Sequence, residues 1–120
     1  MSEEFINIAT KEIQQDICAL ETILSDCVSD DDVILNASKF QKHTHKIKGL
    51  APMMGNTSLG DLSSSMDSVF KIISTKSKIA GVFQFLKKLI PAMNLVLIEP
   101  NSDVAELKEN LSQIEKILSQ

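Results

Sequence analysis

The part of this 120-residue chain best equipped for chemistry is His45-Lys46-Ile47-Lys48-Gly49. A neutral imidazole has a free ring lone pair near neutral pH and can attack an electrophile. On a helix, Lys48 and Gly49 fall one turn beyond His45, on the same side. The lysine offers positive charge to the oxygens of an anion. The glycine costs roughly 1 kcal/mol against alanine in a helix interior, and its missing side chain leaves room beside the ring for a phosphoryl group and an approaching partner. The chemistry that suits this set is acceptance of a phosphoryl group by a ring nitrogen. On these residues alone, an ordinary surface histidine with Gly49 as a helix-end signal before Pro52 explains the string equally well.

His43 is the rival nucleophile. It lies two positions earlier, about 200° around a helix, so the two rings cannot face one partner. It lacks the lysine-plus-glycine pair at the matching offsets. The same geometry argues against a His43/His45 metal pair, because helical ligands favour spacings of three or four. Cys18 and Cys27 are nine residues apart on one predicted helix and cannot bridge each other, and no C-x-x-C spacing occurs. Two reduced, partly buried thiols are expected. No nucleotide-binding G-x-x-x-x-G-K-[ST] string is present.

The charge distribution says more than its sum. Net charge is −4, which disfavours bulk binding to nucleic acid or an anionic membrane. Yet Val33 to Gly60 contains no acidic residue, while holding Lys39, Lys42, His43, His45, Lys46 and Lys48. Such a cluster is a solvated helix face or a place where an anion is handled. Hydrophobic residues at 43% and charged residues at 23% are ordinary for a globular domain. The opening Met1-Ser2-Glu3-Glu4 lacks the pattern of a signal peptide, and no apolar run spans a bilayer. A cytoplasmic setting is expected.

The elements that must position His45 are helices. Scarce glycine and proline disfavour an all-β fold. Ile6, Ala9, Ile13, Ile17, Leu20 and Leu24 mark one face of a first helix capped by Ser2. Asp30, Asp31 and Asp32 offer caps for a second, which buries Val33, Ala37, Phe40, Thr44, Ile47 and Ala51. Pro52 should end or kink it, with Gly55-Asn56 as the turn. Thr57 or Ser58 caps a third, with Leu59, Leu62, Met66, Val69 and Ile73 inward. After a linker around Thr75 to Lys78, a fourth carries Ile79, Val82, Leu86, Leu89, Met93 and Val96, kinked near Lys87 or broken at Ile90 by Pro91. A last helix places Val104, Leu107, Leu111, Ile114 and Leu118 on one side. Four or five such helices pack most simply as an antiparallel bundle. The chain reads as one domain, 1–120, with the bundle over about 3–98 and the extra C-terminal helix over about 101–119.

His45-Lys46-Ile47-Lys48-Gly49 followed by Gly55 resembles the H-x-x-K-G-x-x-x-x-x-G signature of histidine phosphotransfer (HPt) domains. The likeness is greatest to the N-terminal phosphotransfer domain of CheA-type chemotaxis histidine kinases. It extends to Glu3-Glu4-Phe5-Ile6, the acidic first helix, Phe40 and the Leu62-to-Phe70 pattern, and weakens after about Lys76.

The resemblance implies an all-α, antiparallel four-helix bundle of the HPt type with an additional C-terminal helix. It implies that His45 is phosphorylated by an ATP-bound histidine kinase catalytic domain and passes the group to an aspartate of a response-regulator receiver domain. ATP and Mg²⁺ then belong to the partners and no cofactor to this domain, which is a substrate and carrier rather than a self-sufficient enzyme. The runner-up is a helical-bundle module that binds a kinase or receiver domain without being phosphorylated. The opening residues favour the N-terminal domain of a larger kinase over a stand-alone protein.

By the same resemblance Lys48 and Gly49 attend the histidine. The family's third-helix glutamate, which hydrogen-bonds the histidine, corresponds to Asp67, and a second histidine of that network corresponds to Ser64. Asp67 is one methylene shorter, and Pro52 stands where a small residue is usual. Ser63, Ser64 and Ser65, with Gly60 and Gly49, are expected to form a flat patch around His45, and Asp67 to be partly solvated.

Overall fold

The helical periodicity of the sequence becomes six helices in the computed structural model, which describes residues 2–75 and 79–118. They are α1 (Glu3–Ser25), α2 (Asp30–Leu35), α3 (Ala37–Met53), α4 (Thr57–Ile73), α5 (Val82–Ile98) and α6 (Ala105–Leu118). No strand occurs among the described residues. From Lys76 onward the expected linker lies outside the described residues, as does Ser119 at the expected end of the last helix.

The caps differ from expectation in instructive ways. Ser2 caps α1 as anticipated, its Oγ accepting the Phe5 N–H at 3.0 Å. The expected second helix is two, divided at Asn36. The Asn36 amide donates to the Asp32 carbonyl at 2.8 Å and its backbone leaves the helical region, which is how a short polar side chain competes with a helix ladder. Ser29, not one of the aspartates, caps α2. Asp30 instead reaches across to α5 and accepts the N–H groups of Gly81 and Phe83 at 3.0 and 2.8 Å. Gly81 has no side chain to do this itself, so one element supplies the cap of another.

Pro52 does not break α3 early. It sits in the last turn, and the helix closes one residue later. Asn56 N–H donates to Ala51 O at 2.9 Å and Gly55 N–H to Pro52 O at 3.0 Å. This is a Schellman closure, and it places Gly55 at φ +87°. Asn56, rather than Thr57 or Ser58, then caps α4 through Oδ1, while its amide holds the Val96 carbonyl of α5 at 3.0 Å. α5 runs through Pro91 without a break at Ile90.

α3 and α4 form an antiparallel hairpin and share the most extensive contact in the molecule. Stacked Phe40 and Phe70, with ring centroids 5.1 Å apart, pack its far end. Near the turn, Gly60 lies under the Pro52 ring. α1 covers the other side of α3, α5 packs on α1, and α6 lies on α4. The inward stripes converge on one core, with Ile13, Ile17, Phe40, Ile47, Leu59, Leu62, Leu89 and Ile90 fully buried. Each such side chain contributes about 1.5–3 kcal/mol by leaving water. No helix among the described residues is long and apolar enough to cross a membrane.

Candidate functional site

α3 turns Phe40, Thr44, Ile47 and Ala51 to the core, so its polar residues divide between two flanks. One flank faces α4 and the other faces α1. His45 follows buried Thr44 and lies on the α4 side with its side chain 64% exposed.

Opposite it, on α4, is Asp67. The expected partly solvated carboxylate is in fact buried, at 1% exposure. Four groups surround it. Gln41 Nε2 donates to Oδ1 at 3.2 Å, and His45 Nδ1 lies 3.5 Å from the same oxygen. Lys48 and Lys71 each bring Nζ to 3.4 Å from Oδ2. Burial pushes the Asp67 carboxyl up, but the Gln41 hydrogen bond and the Lys71 and Lys48 charges outweigh it and hold the group below its ordinary range. Asp67 is therefore ionised at neutral pH.

At 3.5 Å the His45–Asp67 contact is longer than a good N–H···O bond. The carboxylate favours the tautomer with its proton on Nδ1, leaving the Nε2 lone pair free. His45 Nε2 has no polar partner among the described residues.

Lys48 belongs to this cluster, with its charge turned to Asp67. Gly49 is exposed, and a Cβ there would meet nothing within 4 Å. Ser64 is half-buried one turn before Asp67 and makes no hydrogen bond to His45; its carbonyl accepts from Ser68. The flat patch contracts, because Gly60 and Ser63 are buried, Gly60 against Pro52 of α3. Gln41 and Lys71 were missed. Each stands one helical turn from a recognised residue, Gln41 before His45 and Lys71 after Asp67. That signal has meaning only once Asp67 is known to be buried.

His43 goes to the other flank. Its Nδ1 lies 2.9 Å from Oδ1 of Asp16 on α1, and Lys46 Nζ is 3.1 Å from that oxygen. Asp16 is 3% exposed, and its Oδ2 has no hydrogen-bond partner among the described residues. The two histidines thus serve separate carboxylates on separate helices. Among the described residues no group of three or more His, Cys, Asp or Glu could hold a metal ion. Cys18 is exposed and Cys27 buried, both free; burial, with Asp32 and Asp26 nearby, pushes the Cys27 thiol up.

The arrangement presents an exposed imidazole, oriented from behind by a buried anion and open in front. No family model, curated protein or solved structure matches the chain.

Proposed function

We propose that the protein is a phosphorelay carrier of the histidine phosphotransfer type, with α1, the α2–α3 pair, α4 and α5 as its four-helix bundle and α6 as the added helix. Nε2 of His45 attacks the γ-phosphorus of ATP held by a histidine kinase domain. An N–P bond forms, the P–O bond breaks, and ADP leaves with the electron pair. A receiver-domain aspartate oxygen then attacks the same phosphorus, and the N–P bond returns its electrons to Nε2. Metal and nucleotide come with the partners, in two-component signalling of the cytoplasm, with neither nucleic acid nor membrane involved.

The observation that carries this reading is the pairing of a 64% exposed imidazole with a 1% exposed carboxylate. His43 also faces a buried carboxylate, but its side chain is 19% exposed, whereas the His45 ring is open to a partner. Asp67 holds the proton on Nδ1 and stabilises the cation formed when Nε2 is phosphorylated, while Gln41, Lys48 and Lys71 hold Asp67.

The test is labelling by a cognate kinase and ATP. Acid-labile, base-stable label should enter the parent, be lost in His45→Gln and survive largely in His43→Gln. Undiminished labelling of His45→Gln overturns the assignment. An unlabelled parent that still binds kinase or receiver domain is an interaction module instead.

A further inference from the structure

Resting on the carrier reading, we propose that Lys42, rather than Lys48, is the cation that engages the phosphoryl group on His45. Lys48 looks suited by spacing, but its ammonium is already drawn to Asp67 Oδ2 at 3.4 Å, behind the imidazole. Lys71 is committed to the same oxygen. Lys46 points to Asp16 on the far flank at 3.1 Å. Lys42 is exposed and has no ion pair among the described residues.

Position agrees with this bookkeeping of charge. Side chains on a helix lean toward its N-terminus, so a residue covers the turn before its own Cα. His45 therefore leans over the turn that holds Gln41 and Lys42. An open depression lies there, lined by Ser38, Gln41, Lys42, His45 and Lys46, with no acidic residue in its wall. Lys42 is about 60° around the helix from His45, toward solvent, whereas Gln41 and Lys48 lie on the α4 side. A dianionic phosphoryl on Nε2 enters this depression and meets the Lys42 ammonium and the Ser38 hydroxyl.

The division of labour is then spatial. Asp67 and the groups around it orient the imidazole from one side. Lys42 draws in the phosphoryl oxygens from the other, screening their charge as the N–P bond forms. The ligand class is a phosphoryl dianion on a small donor or on a nucleotide, not a metal or an apolar group.

The experiment uses the intact chain and phosphoramidate, a small donor that needs no kinase. Nε2 attacks phosphorus, the P–N bond breaks and ammonia leaves with the electron pair. Phosphohistidine is followed by mass and by ³¹P NMR over a range of donor concentrations. Lys42→Gln should slow labelling of His45 about five- to tenfold and weaken the dependence on donor concentration. Lys42→Arg should restore most of the rate. Lys39→Gln removes the same charge from the same helix without lining the depression, and should leave the rate unchanged. If Lys42→Gln labels at the parent rate, the proposal is wrong while the carrier reading stands. If Lys39→Gln slows labelling equally, only bulk charge is at work and the proposal again fails. If the parent takes no label at His45, the carrier reading itself fails.

Discussion

Asp67 Oδ1 is shared between the Gln41 amide at 3.2 Å and His45 Nδ1 at 3.5 Å. Gln41 and His45 are successive residues of one stripe of α3, so a single buried oxygen of α4 reads two turns of its neighbour. The longer distance belongs to the histidine, so the Gln41 amide makes the closer of the two contacts.

Asp67→Asn should fold, slow phosphorylation of His45 several-fold and lower stability in a pH-dependent way. The folded-state carboxyl sits below its ordinary value because Gln41, Lys71 and Lys48 outweigh burial. Its contribution is fully present above the unfolded value, about 3.9, and is lost as pH falls through the depressed folded value. Urea unfolding of parent and variant from pH 7 to pH 2 should give curves that converge at the acid end. Asp67→Glu should match or exceed the parent rate of phosphorylation, with a stability cost of about 1 kcal/mol for an extra methylene in a packed site.

Removing the two histidines should separate stability from chemistry. His43→Ala leaves Asp16, 3% exposed and already with one orphan oxygen, with Lys46 alone. A loss of about 1–3 kcal/mol is expected for a buried acceptor deprived of its donor. His45→Ala, at an exposed position, should stay within about 0.5 kcal/mol of the parent. Equal losses in urea titrations would show that His43 is not the structural member of the pair.

Gly49 has open space where a side chain would go. Gly49→Ala should therefore raise stability by up to about 1 kcal/mol through helix propensity alone. Gly49→Leu should also fold, yet slow phosphoryl transfer in both directions by crowding the face of His45. A Gly49→Leu protein that transfers at the parent rate would assign the glycine to the helix end and not to access.

Gly60 is the opposite case. A Cβ there would lie 2.7 Å from Pro52 Cγ and 3.1 Å from Cδ, both parts of a stiff ring. Gly60→Ala should cost about 1–3 kcal/mol by overpacking. In a Pro52→Ala background most of that cost should vanish, and a double-mutant cycle measured by thermal or urea unfolding reads the coupling directly. Additive effects would mean that the two residues do not set the α3–α4 approach.

The sequence by itself determined the all-helical class, the inward faces of α3 and α4 and the exposed place of His45. Ala37, Phe40, Thr44, Ile47 and Ala51 are all buried, as are Leu59, Leu62, Met66, Val69 and Ile73. A repeat of three and four reports which side leaves water, because helix geometry converts spacing directly into direction. The break at Asn36, the Asp30 cap on α5 and the caps by Ser29 and Asn56 were not legible, since several short polar residues compete locally and distant contacts choose among them. The tertiary structure alone decided the electrostatics. Asp16 and Asp67 are ordinary acids in the sequence, and both are buried because α1 and α4 close over the two flanks of α3. That closure turns Lys48 and Lys71 toward one carboxylate and His43 and Lys46 toward the other. Among the described residues it leaves Lys42 without an ion pair, because which cation remains unpaired depends on every anion within reach, and reach is set by packing rather than by spacing along one helix.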